Sequence, residues 1–185
     1  MSRHSLISAL LATALGWLVA PQACAADYHV SPTGNDANDG LSQQTAFRSL
    51  AAACRSTPAG KHIIHVAAGD YEETESCVLP SGVSLTGAGI GKTVFHWKIV
   101  RSLEEHPMKI DFAGFLIQIK NSSNATISGL TIIGNLPNDQ RAHGGIFAHE
   151  ARNVAIHDCE VKGLEFCGIW LSQATNSSVH HCRFA

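Results

Sequence analysis

Charged side chains are scarce in this 185-residue chain: Asp, Glu, Lys and Arg together make up only 15% of it. No run of Lys or Arg occurs and the formal net charge is −2 at pH 7, so the basic patch that a nucleic-acid partner requires is missing. Beyond the N-terminal stretch no apolar run approaches the roughly 20 residues that cross a bilayer as a helix. A phosphate-binding loop is missing too. The segment "GAGIGKT" (87–93) ends in Gly-Lys-Thr, but such a loop needs Gly, four residues, then Gly-Lys-Ser/Thr, followed by a helix. Thr86 stands where the first glycine belongs, and "VFHW" continues as β-formers and aromatics. The stretch reads as a glycine turn between strands, and no nucleotide is expected.

The N-terminus has the layout of a secretory signal. Arg3 and His4 precede an apolar stretch from Leu6 to Ala20, and "PQACA" offers small residues at Ala23 and Ala25. The pattern predicts cleavage after Ala25 and a secreted protein, extracellular or periplasmic. Pro21 and Gln22 argue against lipid attachment at Cys24. About 160 residues then remain, enough for one domain with a real core. Five cysteines survive: Cys54, Cys77, Cys159, Cys167 and Cys182. Export permits disulfides, with Cys54–Cys77 a reasonable pair, and the odd count leaves at least one free thiol.

Gly, Ser, Thr and Asn are plentiful, and their distribution is periodic. "GIFAHEARNVAIHDCEVKG" (145–163) aligns without a gap on "GIWLSQATNSSVHHCRFA" (168–185), 23 residues later. Asn153 falls on Asn176, Ile156 on Val179 and Cys159 on Cys182. An earlier copy, "LIQIKNSSNATISGLTIIG" (116–134), matches with a spacing of 29, the excess lying in the polar "NLPNDQRAHG" (135–144). Each copy holds short alternating runs rich in Ile and Val, with no helical period. A repeat of this length with two or three short strands is one turn of a parallel β-solenoid, in which like residues stack at about 4.8 Å. Asn124, Asn153 and Asn176 are thereby expected to form one column of turn residues. Leu130, Cys159 and Cys182 form an inward column, the two cysteines as free core thiols in preference to a disulfide.

"YHVSPTGNDANDGLSQQTAFRSLAAA" (28–53) followed by "HIIHVAAGDYEET" (62–74) resembles the opening of secreted right-handed parallel β-helix proteins of the pectate-lyase-like superfamily. The resemblance implies an all-β, single-stranded right-handed parallel β-helix. In it 45–56 is the N-terminal capping helix, residues 26–81 hold the first strand, cap and first coil, and 82–185 hold further coils. Loop insertions are expected near 101–114 and 135–144. Because the sequence stops at "HHCRFA" within a repeat, a longer solenoid is expected; a short one pairing its open end with another copy is the alternative. The resemblance also implies a polysaccharide lyase or hydrolase acting on acidic glycan in a groove along one sheet, in some members with Ca²⁺. The alternative from another class is a non-catalytic carbohydrate-binding surface solenoid.

Candidate site residues follow from the stacking. "NVAIHDCEV" (153–161) and "SSVHHCRF" (177–184) resemble the family's Val-Trp-Ile-Asp-His-Cys strand. His157 and His180 occupy its Asp position and Asp158 and His181 its His position, which argues against a calcium-dependent pectate lyase. Stacked one rung apart and facing outward, His157, Asp158, His180 and His181 are the candidate catalytic cluster, as an acid–base pair or a metal site. His149 and Glu150 form a second, weaker pair, replaced one coil later by Ser172 and Gln173. Lys162, Glu165 and Arg152 are candidate groove charges, and Trp170 a candidate sugar-stacking aromatic that parity leaves free to face inward instead. "GNDANDG" (34–40) offers Asp36 and Asp39 as Ca²⁺ ligands, although the twelve-residue loop with its closing Glu is lacking. Asn121, Asn124 and Asn176 stand in Asn-x-Ser/Thr sequons, but coil corners want Asn for its turn geometry.

Overall fold

The computed structural model describes residues 25–98, 114–134 and 144–185. The expected signal segment (apart from Ala25) and almost all of both expected loop insertions lie outside these residues. Among the described residues the chain forms one helix, α1 (Leu50–Ser56), and short strands β1–β15 distributed over three sheets. The first sheet contains β1 (Asp27–Val30), β2 (Ile63–Val66), β5 (Ser84–Gly87), β8 (Ser123–Ser128), β11 (Arg152–His157) and β14 (Ser178–His180). The second contains β3 (Gly69–Glu73), β6 (Thr93–Trp97), β9 (Thr131–Ile133), β12 (Glu160–Lys162) and β15 (Arg183–Phe184). The third contains β4 (Cys77–Val78), β7 (Phe115–Lys120), β10 (Gly144–His149) and β13 (Cys167–Ser172).

Every strand pairs in parallel with its equivalent in the next coil, and the chain visits the three sheets in turn. This is the parallel solenoid expected from the repeat, and the right-handed parallel β-helix that the resemblance implied. Its register is the one the repeat dictates: at a spacing of 23 Ile156 lies opposite Val179 and His157 opposite His180, and at the longer spacing of 29 Ile127 lies opposite Ile156. Inward residues stack into apolar columns. Ile64, Leu85, Ile127 and Ile156 form one, and Tyr71, Phe95, Ile132 and Val161 another, each side chain buried. Burial of each large apolar side chain stabilises the fold by about 1.5–3 kcal/mol. Cys159 is buried and free and Cys182 is partly buried and free, as expected of core thiols. Cys54 and Cys77 are joined by a disulfide.

The cap begins later than the sequence suggests. The expected helix over 45–56 is helical only from Leu50. Phe47 is instead bridged to Val30, and Asp36 Oδ1 accepts the backbone N–H groups of Arg48 and Ser49, which holds the segment extended. Ser49 then caps the helix, accepting the Ala52 N–H on its hydroxyl. The glycines of "GAGIGKT" make the corner between β5 and β6. A Cβ at Gly87 would meet the Gly129 carbonyl oxygen of the next coil at 2.2 Å, so the backbones approach too closely for any side chain.

Three columns of left-handed residues turn the coils. Asn124, Asn153 and Asn176 form the expected one, with φ of 59°, 54° and 50°. They sit inside or beside the strands rather than before them, and their side-chain amides form a ladder: Asn153 Nδ2 donates to Asn124 Oδ1 at 3.0 Å, and Asn176 Nδ2 donates to Asn153 Oδ1. Asn153→Ala is expected to cost about 1–2 kcal/mol, from the left-handed backbone penalty plus the lost ladder bonds. Asn153→Gly should cost less, since glycine accepts the backbone. Urea denaturation of both variants checks the order, and equal losses would show that the backbone plays no part.

Candidate functional site

The other two left-handed columns flank the first sheet at its two ends. Gly129, Asp158 and His181 turn the chain from the first sheet to the second, while Asn121, Glu150 and Gln173 turn it from the third sheet to the first. Glu150 (φ 49°) and Gln173 (φ 52°) are not residues that favour this conformation, which costs on the order of 1 kcal/mol or more at each. Strain held at a surface corner by a carboxylate and an amide marks that corner for attention.

A polar groove of about 520 Å³ runs along it, lined by Asn121, Ser122, Ser123, Glu150, Arg152, Gln173 and Thr175. Glu150 and Arg152 bring opposite charges to one rung. Ser122 is 5% exposed, and its buried hydroxyl has no hydrogen-bond partner among the described residues. An unpaired buried hydroxyl costs about 1–3 kcal/mol, so a ligand hydroxyl reaching it would be favoured.

The groove adjoins the outer face of the third sheet. Ile117, Ile119, Ile146 and Ala148 join the main core, so by strand alternation Gln118, Phe147 and Trp170 form a row on the other face, of which Gln118 and Phe147 are buried and Trp170 is partly exposed. Trp170 packs on Phe147 (centroids 5.3 Å apart) and Phe115 (6.2 Å), with Phe166 edge-on at 5.7 Å. Lys120, His149 and Ser172 form the next outward row, leading into the groove. His149 Nδ1 lies 3.2 Å from the Ser172 hydroxyl, its Nε2 lies 3.9 Å from Glu150 Oε1, and its ring stacks on Phe147. An imidazole beside a carboxylate and a guanidinium, with the partly exposed Trp170 nearby, can bind a sugar ring and exchange a proton with it.

The four residues of the expected catalytic cluster meet on the outer face of the first sheet. The His157 and His180 rings stack, with centroids 5.1 Å apart and planes 14° from parallel. His157 Nδ1 lies 2.7 Å from Asp158 Oδ2. His181 Nδ1 is 3.9 Å from Asp158 Oδ1, and its ring meets His180 edge-on. The hydrogen bond from His157, and then its nearby charge and those of His181 and His180, hold the Asp158 carboxyl below the usual carboxylate range. An ionised carboxylate only accepts, so the Nδ1 proton belongs to His157.

The remaining candidates do not share a groove with that cluster. Lys162 lies on the outer face of the second sheet, paired with Glu160 at 3.1 Å. Arg152 lies at the corner groove and Trp170 on the third sheet. The expectation of one groove joining them is therefore corrected: the coil's faces separate Lys162 and Trp170 from the cluster, and Arg152 stands at the opposite end of β11 from His157. Asp36 and Asp39 do not fit a Ca²⁺ site. Asp36 accepts the backbone N–H groups of Arg48 and Ser49 at 2.8 Å and the Ser49 hydroxyl at 2.9 Å. Asp39 accepts the Leu41 N–H at 3.0 Å, and Thr45 also bonds its carboxyl. Both carboxylates hold the N-terminal loop. Among the described residues no group of three or more His, Cys, Asp or Glu side chains is arranged round a metal position, and no helix is long and apolar enough to cross a membrane.

Three parallel sheets visited in turn by successive coils define a parallel β-helix protein. Residues 32–182 match the family described as "Protein of unknown function (DUF1565)", and the chain belongs to that family. Among curated protein sequences none matches it. Among solved structures it is similar to a rhamnogalacturonan lyase (13% identity, TM-score 0.60, covering 86% of this chain and 51% of that one). It is also similar to a pectin methylesterase in complex with a hexasaccharide (15%, 0.59, 88% and 56%). A third is a lacto-N-biosidase from Eubacterium ramulus (13%, 0.59, 86% and 34%). The chain thus spans between about a third and a little over half of these structures, and the likeness establishes the fold.

Proposed function

We propose that the protein is a secreted, carbohydrate-active β-helix that takes an acidic polysaccharide in the corner groove, with the partly exposed Trp170 of the adjoining third sheet at its edge. The observation that carries this is the groove itself: Glu150 and Arg152 line it together with the Ser122 hydroxyl, which has no hydrogen-bond partner among the described residues, and the partly exposed Trp170 lies on the adjoining sheet. Arg152 would pair with a uronate carboxylate, for which its planar fork is suited. Trp170 would stack on a sugar ring, and Ser122, Asn121 and Gln173 would meet sugar hydroxyls. His149, set between Ser172 and Glu150, is positioned to take or give a proton at the reacting carbon or oxygen, as a lyase or a hydrolase requires. The names of the rhamnogalacturonan lyase and the pectin methylesterase support the substrate class. One observation favours the second reading, a glycan-binding solenoid without catalysis: the His149–Glu150 pair gives way one coil later to Ser172–Gln173, so the acid–base pair is not repeated along the face.

Calorimetric titration with oligogalacturonate tests the binding. Arg152→Ala is expected to weaken it at least about tenfold, a charge-assisted bond contributing roughly 1.5–3 kcal/mol. Trp170→Ala should weaken it several-fold, and Lys162→Ala, on another face, should leave it unchanged. Absence of binding by every acidic oligosaccharide, or an unaffected Arg152→Ala, would overturn the assignment. Ultraviolet absorbance of an unsaturated product, abolished by His149→Ala, separates a lyase from a binding module.

A further inference from the structure

The outer face of the first sheet carries a recess apart from the corner groove. It lies over the first three rungs, at the C-terminal ends of β1, β2 and β5, whereas the groove lies beside the N-terminal ends of β8, β11 and β14. Its volume of about 430 Å³ falls within the roughly 300–1,000 Å³ of small-molecule sites. Small residues open it: Ala46, Ala67, Gly87 and Ala88 leave space that larger side chains would fill. One wall is the segment 40–47, and hydrogen bonds hold that wall in place. The His29 N–H donates to the Gly40 carbonyl at 2.8 Å, the Phe47 N–H donates to the His29 carbonyl at 2.9 Å, and Asn38 Nδ2 donates to the Ala46 carbonyl at 3.1 Å.

We propose that this recess binds an uncharged sugar residue, at a site separate from the corner groove. Its floor is a column with one side chain per rung, His29, His65 and Thr86 in register. The two imidazoles stack with centroids 5.6 Å apart and planes 23° from parallel. Stacked rings cover each other's faces and present their edges, which carry the nitrogens, to the space above the sheet. Gln43 lines the same recess from the wall segment. Among the described residues the side-chain polar atoms of His29, Gln43 and Thr86 meet no hydrogen-bond partner. An imidazole, an amide and a hydroxyl each offer both a donor and an acceptor. Sugar hydroxyls, which also do both, are their natural complement, and Ala46, Ala67 and Ala88 supply apolar surface for the C–H face of the ring.

Charge separates this ligand from the one in the groove. No Lys, Arg, Asp or Glu lines the recess, whereas the groove holds both Glu150 and Arg152. The Asp27 carboxylate, 3.5 Å from His65 Nε2, places a negative charge beside it. A uronate entering here would meet that charge with no guanidinium or ammonium to pair with, and desolvating an unpaired carboxylate is costly. An uncharged ring avoids that cost. The stacked His157–His180 pair, on the same sheet face but outside the recess, serves as an internal control.

Titration of the full isotope-labelled chain with the methyl glycosides of glucose, galactose and mannose, followed in carbon–proton correlation spectra, provides the test. At least one glycoside should saturably shift the ring C–H signals of His29 and His65 and the methyl signals of Thr86 and Ala88, leaving those of His157 and His180 in place. Gln43→Ala, at an exposed position, and Thr86→Ala should each weaken binding severalfold, the share of one hydrogen bond. Ala67→Trp should fill the recess and abolish binding, while the remaining signals show the chain still folded. The methyl glycoside of galacturonate should bind at least about tenfold more weakly than the best neutral one. No saturable shift with any of the neutral glycosides, unchanged affinity in both Gln43→Ala and Thr86→Ala, or tighter binding of the galacturonate would overturn the proposal. Arg152→Ala should leave this site intact while weakening oligogalacturonate binding at the groove, so the two assignments fail separately.

Discussion

Replacing Cys54 and Cys77 together by alanine is expected to lower unfolding free energy by about 3.5 kcal/mol, from the loop-closure entropy of a cross-link spanning 23 residues. For a domain of this size that corresponds to a fall in Tm on the order of 7–14 °C. The bond ties α1 to β4, the first strand of the third sheet, and both half-cystines are buried. Its position matters as much as its entropy. The cap covers the start of the solenoid, where an open strand edge would otherwise present unpaired backbone groups, and β4 pairs with β7 only through Cys77 and Val78. Scanning calorimetry of C54A/C77A against the parent chain measures the difference. A Tm unchanged within a degree or two would mean that the cap is held by packing alone.

Glu73 should make stability depend on pH in the opposite sense to an ordinary salt-bridged carboxylate. Its side chain is 2% exposed, and Oε1 accepts the Leu50 N–H at 2.7 Å at the start of α1. Burial pushes its pKa up to about 7; the Leu50 N–H opposes this, the nearby Asp36 and Glu75 charges add to it, and Arg55 opposes it in turn. The folded chain therefore holds a proton on Glu73 that the unfolded chain gives up near pH 4.5. Between those values the folded state binds more protons, so stability falls as pH rises. The contribution is fully present below about pH 4.5 and lost as pH passes 7, a difference on the order of 3 kcal/mol. Glu73→Gln keeps an acceptor for Leu50 and has no proton to lose. Urea denaturation at a series of pH values should give two curves that meet in acid and separate above neutrality, the variant being the more stable. Parallel curves across the range would show that Glu73 is not buried as described.

The fold was legible because a solenoid writes its geometry into sequence as a period. The 23-residue spacing placed Asn153 on Asn176, Ile156 on Val179 and His157 on His180, and each pair stacks. The corner groove was harder to see. Its turn column is built from Asn121, Glu150 and Gln173, and of these only Asn carries the turn chemistry that would announce a left-handed residue. Its cavity also depends on how neighbouring columns are spaced across a corner, which a period alone does not convey. Trp170 faces outward because the third sheet's strands bend near their start. An added side chain at Gly145 or Gly168 would meet the core residue Val161, and Ile146 and Ile169 also face the core. Counting alternation from Gly168 could not settle the direction. Lys162 and Arg152 looked alike as groove charges, and only the assignment of β11 and β12 to different sheets separates them.

Groove and imidazole cluster alike exist only if successive coils lie rung on rung in parallel. A three-dimensional nuclear Overhauser spectrum of the isotope-labelled chain tests this most directly. It should show backbone contacts running from Ile127 to Ile156 to Val179, in the parallel pattern, with His157 and His180 one step along. An antiparallel pattern through these residues, or no contact between Ile156 and Val179, would contradict the stacking and with it both sites.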